Sequence, residues 1–195
     1  NLSSIDGHIR INKYFNQSIS KSNLVKIDSL FLLKNININS YYPFIEKHAV
    51  IRNKSYSQGV IVYGVDEKAL NEIFNLNNFS KKNSHFNQEK NIIIGQKLSG
   101  FIKADIQEDI IMFNPEKMIQ DKFLNASKFK IDNIFKTNFP EYDKILTFIS
   151  IEEAQKIFNM QNMFSGILIN TRNIDEIDNI KSELESFLNE DGYFI

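Results

Sequence analysis

The sequence contains no cysteine and is poor in proline and glycine. Without cysteine the chain has no disulfide, no thiol nucleophile and no thiolate ligand for a metal. Its 3 prolines and 7 glycines among 195 residues exclude a collagen-like or linker-rich chain. No apolar stretch reaches the roughly 20 residues that a membrane-spanning helix needs, so no span is expected within this sequence.

The chain also lacks a surplus of charge of either sign. Its 23 basic and 24 acidic side chains give a net charge of −1. Binding to nucleic acid normally requires a basic surplus that displaces counterions, so no nucleic-acid partner is expected. Hydrophobic residues make up 42% of the chain, which argues against disorder and allows one domain, or two small ones, with a sizeable core.

Motifs that bind metals or nucleotides are missing. The three histidines, at positions 8, 48 and 85, form neither His-x-His nor His-x-x-x-His spacing. Glu46 and His48 could share one strand face, but two ligands do not make a metal site, and we expect an ordinary surface pair. Residues 95–100 resemble a phosphate loop superficially, yet they lack Gly-Lys-Ser/Thr at the required position. We therefore expect no metal and no cofactor.

Catalytic motifs are missing as well. There is no Gly-x-Ser-x-Gly nucleophile elbow, and Ser165 with Gly166 is interpreted as a turn before an apolar strand. Glu141 and Asp143 are the best carboxylate pair, and catalysis there would require one raised pKa in a cleft. A structural turn anchored by Tyr142 is the favoured interpretation, so the chain is not expected to be an enzyme.

Hydrophobic periodicity predicts strand-helix-strand patterns at both ends of the chain and a strand-rich middle, which is an α+β fold. Ser150 and Glu153 have the form of a capping box, and Asn173 is predicted to cap the closing helix. The apolar residues expected on one face of that helix are Ile174, Ile177, Ile180, Leu184 and Leu188. The predicted strands are 7–15, 45–52, 59–65, 92–94, 110–113, 129–135, 145–149 and 167–169, and the first helix is 22–34.

Three details of these elements are also predicted. A polar turn over 53–58 joins two of the strands. Leu24, Ile27 and Phe31 recur at three- and four-residue spacing and form the apolar face of the first helix. The alternation in 129–135 predicts a half-exposed strand with Asp132 on its exposed face.

Seven short segments follow one another in a distinctive order. They are GVIVYGVD at 59–66, NIIIGQKLS at 91–99, DIIMFNP at 109–115, FKIDNIF at 129–135, EYD at 141–143, EEAQ at 152–155 and SGILI at 165–169. This order resembles the periplasmic core domain of the LolC/LolE lipoprotein-releasing permeases, within the wider MacB-like group of ABC transporter subunits. The resemblance covers about residues 7–195.

The resemblance implies a discontinuous Porter-like α/β subdomain formed by residues 1–65 and 162–195, with a strand-rich Sabre-like subdomain, residues 66–161, inserted between them. It implies a periplasmic domain of an inner-membrane protein, with one transmembrane helix before Asn1 and another after Ile195. The implied role is to couple ATP hydrolysis to lipoprotein release. The implied partners are a cytoplasmic ATPase subunit, a partner permease, the lipoprotein cargo and a LolA-like periplasmic carrier.

Residues 116–128 occupy the place of the LolC hairpin arm that captures the carrier. Met118, Ile119, Phe123 and Leu124 are the apolar residues of this segment, and the resemblance implies that they dock the carrier. The alternative is an ordinary hairpin whose apolar residues fold back on the domain. Exposed apolar patches tend to mark interaction sites, and this tendency is the physical basis of the docking interpretation.

Two departures keep further alternatives open. The segment is shorter than the LolC arm and lacks its prolines, as expected of a LolE-like partner whose surface admits the lipoprotein. Glu108 stands where family members usually have glycine, and it would be strained if the turn needed a positive φ there. A MacB-like efflux subunit, an FtsX-like regulator of cell-wall hydrolases and, from a different class, a secreted hydrolase are the other hypotheses.

Overall fold

The structure, a computed structural model, describes residues 8–34, 36–74, 86, 89–115 and 126–195. Over these residues the fold is α+β, as the sequence predicts. Their strands are β1 (Ile9–Lys13), β2 (Ile19–Ser20), β3 (Ile38–Asn53), β4 (Tyr56–Val65), β5 (Asn91–Gly95), β6 (Asp109–Phe113), β7 (Ala126–Phe135), β8 (Leu146–Ser150), β9 (Met163–Phe164), β10 (Gly166–Thr171) and β11 (Tyr193–Phe194). Their α-helices are α1 (Lys21–Lys34), α2 (Glu67–Glu72), α3 (Gln96–Ile102), α4 (Pro140–Ile145), α5 (Ile151–Ile157) and α6 (Ile177–Leu188).

The chain divides into two compact units. The first takes in the described residues of Asn1–Phe44, Lys68–Asn75 and Gln161–Ile195, and the second those of Ile45–Glu67 and Leu76–Met160. Compactness thus assigns Ile45–Glu67 to the second unit, whereas the family resemblance groups residues up to 65 with the termini. The difference arises because β3 is one long strand whose first part pairs within one unit and whose second part pairs within the other. The family's own subdomain boundaries stay a prediction.

The first unit contains a four-stranded antiparallel sheet in the order β11-β1-β10-β3. Ile9 and Ile11 pair with Ile169 and Ile167, so both ends of the sequence meet in this sheet. Helix α1 packs on this sheet: the Phe31 ring contacts the Tyr41 ring of β3 edge-on, with the ring centroids 5.0 Å apart. Helix α6 buries Leu184 completely.

The second unit is a closed barrel of six strands. β4 pairs with β3 and β8, β5 pairs with β8 and β7, and β6 pairs with both β7 and the second part of β3. Each strand therefore has two partners, and closure leaves no sheet edge open for pairing. β5 and β8 are buried along their whole length because helices α3, α4 and α5 contact the barrel from outside.

The predicted helix start at Ser150 is confirmed, whereas Asn173 caps a 3₁₀ turn, Ile174–Glu176, and α6 begins after that turn without a side-chain cap. The Ser150 hydroxyl accepts a hydrogen bond from the Glu153 amide at 3.3 Å, and the Asn173 side chain accepts one from the Asp175 amide at 3.1 Å. The predicted polar turn over 53–58 is shorter than expected, because β3 and β4 continue to Asn53 and from Tyr56. No helix among the described residues has both the length and the apolar character of a membrane span.

Candidate functional site

The place of the predicted arm is a β-hairpin. β6 and β7 pair antiparallel, with Phe113 opposite Ala126 and Met112 opposite Ser127, so the chain between them links the two strands at one end. Met118, Ile119, Phe123 and Leu124, the residues predicted to dock a carrier, lie outside the described residues. Their docking role stays a prediction, while the hairpin that would carry them is present.

The two strands of this hairpin are joined by an ion pair. Lys128 Nζ lies 2.8 Å from Asp109 Oδ2. The hydrogen bond from Lys128 lowers the pKa of the Asp109 carboxyl below its usual value, so this carboxyl stays ionised at neutral pH. Both side chains are well exposed, so the pair contributes little stability.

A polar cleft of about 220 Å³ lies beside the first residues of β7, lined among others by Glu89, Ser127, Glu153 and Lys156. Lys156 Nζ donates to Glu153 at 2.8 Å and to Glu89 at 3.1 Å. These two carboxylates raise the pKa of Lys156, so its ammonium group keeps its proton at neutral pH. Such a lysine cannot act as a general base, and the cleft is a charge-paired surface instead.

The turn before β6 accommodates Glu108, which stands where members of the resembling family usually have glycine. The residue with positive φ is Gln107, at 72°, and not Glu108. Glu108 accepts a hydrogen bond from the Asp105 amide at 2.8 Å through its carboxylate. The strain expected at Glu108 is therefore absent, because the left-handed conformation falls one residue earlier.

Residues 141–143 lie in helix α4 rather than in the predicted turn, and Asp143 is held as firmly as Tyr142. Asp143 is 2% exposed and accepts hydrogen bonds from the Thr137 amide at 2.8 Å and the Thr137 hydroxyl at 2.7 Å. Glu141 is exposed, so the two carboxylates lie in different environments. Tyr142, the predicted anchor, is half-buried, and its ring packs edge-on against Phe139 with the ring centroids 5.8 Å apart. The structural role of Asp143, a carboxylate that can accept several hydrogen bonds, was not predicted.

The histidines that the structure describes lie in different surroundings. His48 is exposed on β3, and His8 bonds Thr171 Oγ1 at 2.8 Å, while His85 lies outside the described residues. Over the part of the chain that the structure describes, no three acidic or histidine side chains come together as metal ligands. Ser165 donates its amide to Phe44 and precedes β10, as the predicted turn requires.

Sequence reasoning missed a second apolar face on α1. The buried face was predicted from Leu24, Ile27 and Phe31, and Ile27 and Phe31 are indeed buried. Val25, Leu32 and Leu33 are instead 58%, 76% and 84% exposed. The signal was present in the helix sequence KSNLVKIDSLFLLK, where apolar residues occur outside the one predicted stripe.

No protein-family model matches this sequence, and no curated protein matches it significantly. Among solved structures, the chain is similar to the extracellular domain of the noncanonic ABC-type transporter YknZ from Gram-positive bacteria, with a TM-score of 0.62 and 10% identity over 95% of this chain and 97% of that one. It is also similar to the periplasmic region of MacB from Actinobacillus actinomycetemcomitans, with a TM-score of 0.60 and 12% identity over 100% of this chain and 90% of that one. The chain therefore has the fold of these extracytoplasmic transporter domains.

Proposed function

We propose that this chain is the extracytoplasmic domain of an ABC transporter permease, and that it works mechanically rather than as an enzyme. The observation that carries the proposal is the fold, which is similar to the YknZ and MacB domains over nearly their whole lengths. In this proposal ATP is hydrolysed on a separate cytoplasmic subunit. The domain itself binds no cofactor.

The first unit supports a mechanical role. β1, near the start of the sequence, pairs on one side with β10 and on the other with β11, both from the end of the sequence. A force applied through either terminal segment therefore acts on the same two hydrogen-bonded strand pairs, β1–β10 and β1–β11. Such a ladder resists sliding better than a single contact would, which suits a domain that follows movements of a membrane part.

At a finer level we propose that the transporter releases lipoproteins from the inner membrane and passes them to a periplasmic carrier. Met118, Ile119, Phe123 and Leu124 would contact the carrier from the β6–β7 hairpin. The support is the order of sequence segments and the hairpin at the expected place. A MacB-like efflux role, or FtsX-like regulation of cell-wall hydrolases, is the second candidate, and the fold similarity to MacB favours it equally.

The test uses the complete permease, reconstituted with its ATPase subunit and a lipoprotein in proteoliposomes. We expect the permease to stimulate ATP hydrolysis and the lipoprotein to appear on the soluble carrier. Ile119→Asp with Phe123→Asp should abolish the transfer, because charged side chains cannot enter an apolar carrier groove. Gln120→Asp with Asn125→Asp adds the same charge to the same segment and should leave the transfer intact.

The outcomes separate the two levels of the proposal. ATPase stimulation without transfer to the carrier would replace lipoprotein release by the efflux or cell-wall role. Equal transfer by both charged variants would place carrier docking elsewhere on the domain. Absence of any ATPase stimulation by the permease would overturn the transporter assignment itself.

A further inference from the structure

Helix α1 presents an apolar strip to solvent. Val25, Ser29 and Leu32 follow at four- and three-residue spacing, and Leu33 completes the strip at the C-terminal end of the helix. Leu32 and Leu33 are more exposed than almost any apolar side chain of the described residues. We call these four residues the outer face of α1.

The charge around the outer face of α1 is positive. The helix carries Lys21, Lys26 and Lys34 and one acidic residue, Asp28. The Asp28 carboxylate accepts a hydrogen bond from the Tyr41 hydroxyl of β3, so it is directed toward the sheet and not the strip. Among the described residues, Lys21 and Lys26 have no acidic partner within ion-pair distance.

Helix α6 of the same unit has the opposite surface. The exposed residues of α6 include Asp178, Asn179, Ser182 and Glu183, which are polar or acidic, and its apolar residues Ile180 and Leu184 are buried. The unit also exposes the apolar side chains of Phe15 and Ile174. Helix α1 differs from α6 in presenting exposed apolar residues together with lysines on one helix.

The C-terminal end of α1 lies at a defined end of the four-stranded sheet. Ile38, the first residue of β3 after α1, pairs with Thr171, and Thr171 is hydrogen-bonded to His8 just before β1. Leu32 and Leu33 thus stand near the end of the sheet at which the chain enters β1. If the chain is anchored in a membrane through its terminal segments, this end faces the bilayer.

We propose that the outer face of α1 rests on the surface of an anionic phospholipid bilayer. Leu32 and Leu33 would enter the headgroup region, and Lys26 would lie beside lipid phosphates, as in basic amphipathic helices that bind membrane surfaces. Lys34 Nζ lies 4.5 Å from the centre of the Phe187 ring of α6, so Lys34 adds positive charge at this end of the helix without being assigned a phosphate. The inference rests on the proposed function, because only a membrane-attached domain is held close to lipid.

The charge distribution favours lipid over a second copy of the chain as the occupant. Packing the outer faces of two copies together would bring the lysines of both into one interface without acidic partners. Packing α1 on α6 of another copy would satisfy the charges, but it would bury Leu32 and Leu33 against a polar surface. An anionic bilayer offers both negative phosphates and an apolar interior.

The absence of cysteine makes a direct test possible. A single cysteine, Leu33→Cys, labelled with an environment-sensitive NBD fluorophore, reports on the outer face of α1, and Asn179→Cys on α6 is the matched exposed control. The chain is tethered by an N-terminal polyhistidine tag to nickel-chelating lipid in phosphatidylcholine vesicles, with or without phosphatidylglycerol. Tethering holds the domain at the vesicle surface, so a weak affinity for lipid cannot by itself explain an unchanged emission.

We expect the label at position 33 to shift to the blue on the vesicles that contain phosphatidylglycerol and to be quenched by spin-labelled lipid. The label at position 179 should show neither effect. Leu32→Asp should abolish the shift at position 33, and Lys21→Glu with Lys26→Glu should remove its dependence on phosphatidylglycerol. Circular dichroism of each variant checks that the fold is retained.

Unchanged emission at position 33 on tethering would overturn the proposal. A blue shift that appears without vesicles as protein concentration rises would also overturn it, in favour of a second copy. Neither result touches the proposed function, which is judged by ATPase stimulation in the complete permease. Loss of that stimulation, by contrast, would remove the proposed function whatever the label reports.

Discussion

Gly95 lies against the backbone of Asp143, and a Cβ atom at position 95 would stand only 2.1 Å from the Asp143 carbonyl oxygen. The Asp143 side chain is itself fixed by two hydrogen bonds from Thr137. The end of β5 and the helix α4 are thus locked together, because neither backbone can move aside cheaply. This contact explains why a glycine follows the apolar strand, without any role in phosphate binding.

Gly95→Ala should therefore destabilise the domain by about 1–3 kcal/mol, the usual cost of overpacking, or more if the backbone cannot shift. Gly100 is the matched control, since it lies inside α3 and a Cβ atom added there would meet nothing within 4 Å. Gly100→Ala should stabilise the domain by up to about 1 kcal/mol, the difference in helix propensity between the two residues. Urea unfolding of the three proteins measures both changes, and equal effects of the two alanines would contradict the close contact.

The closing helix allows a second comparison. Ile174 and Leu184 were predicted to share one buried face, but Leu184 is fully buried and Ile174 is 68% exposed. Leu184→Ala should cost about 2–5 kcal/mol because it leaves a cavity, whereas Ile174→Ala should change stability by no more than about 0.5 kcal/mol. Thermal and urea unfolding check the difference. A large effect at Ile174 would mean that its side chain packs against something in the folded protein.

Ile174 also shows why periodicity succeeds inside a helix and fails at its edge. Residues 174–176 form a 3₁₀ turn before α6, so the side-chain directions do not continue the helical stripe. Within α6 the spacing correctly predicted that Ile180, Leu184 and Leu188 are buried, while Ile177, the first residue of the helix, is half-buried. Local pattern therefore predicts the faces of regular elements, and capping residues such as Ser150 predict where they start.

The sequence pattern did not predict which strands, distant in sequence, pair with each other. The barrel closes because β6 pairs with β3, with Phe113 opposite Val50, and nothing in either strand specifies the other as its neighbour. Asp132 was expected on an exposed strand face, yet it is 3% exposed within β7. Its burial depends on partners brought by the fold, which a single strand's alternation cannot reveal.

The turn before β6 gives a prediction about a single backbone angle. Gln107 has a φ of 72°, a conformation that costs a non-glycine residue about 1 kcal/mol or more. Gln107→Gly should therefore stabilise the domain by up to about 1 kcal/mol, less the extra entropy of glycine in the unfolded chain. Glu108→Gly should destabilise it instead, because the acceptor for the Asp105 amide is lost. Urea unfolding distinguishes the two, and stabilisation by Glu108→Gly alone would show that the left-handed residue is Glu108.

Tyr41 gives a prediction about pH. Burial, together with the hydrogen bond and negative charge of Asp28, raises the pKa of the Tyr41 hydroxyl from 10.0 to about 12. Asp28→Asn should lower this pKa but not restore the ordinary value, because burial is the largest cause and remains. Ultraviolet absorbance of tyrosinate, compared with Tyr41→Phe, assigns the titration to this residue.

The same shift determines how stability depends on pH. Because the folded pKa lies above the unfolded one, the unfolded chain loses the Tyr41 proton first, and the free energy of unfolding falls as pH rises from 10.0 toward about 12. Burial also raises the pKa of Tyr193, so the wild type contains a second contribution of the same sign. Tyr41→Phe should therefore lose stability less steeply than the wild type in this range, and should still show the part due to Tyr193. Urea unfolding at a series of pH values measures both slopes, and identical slopes would mean that Tyr41 titrates alike in the folded and unfolded chains.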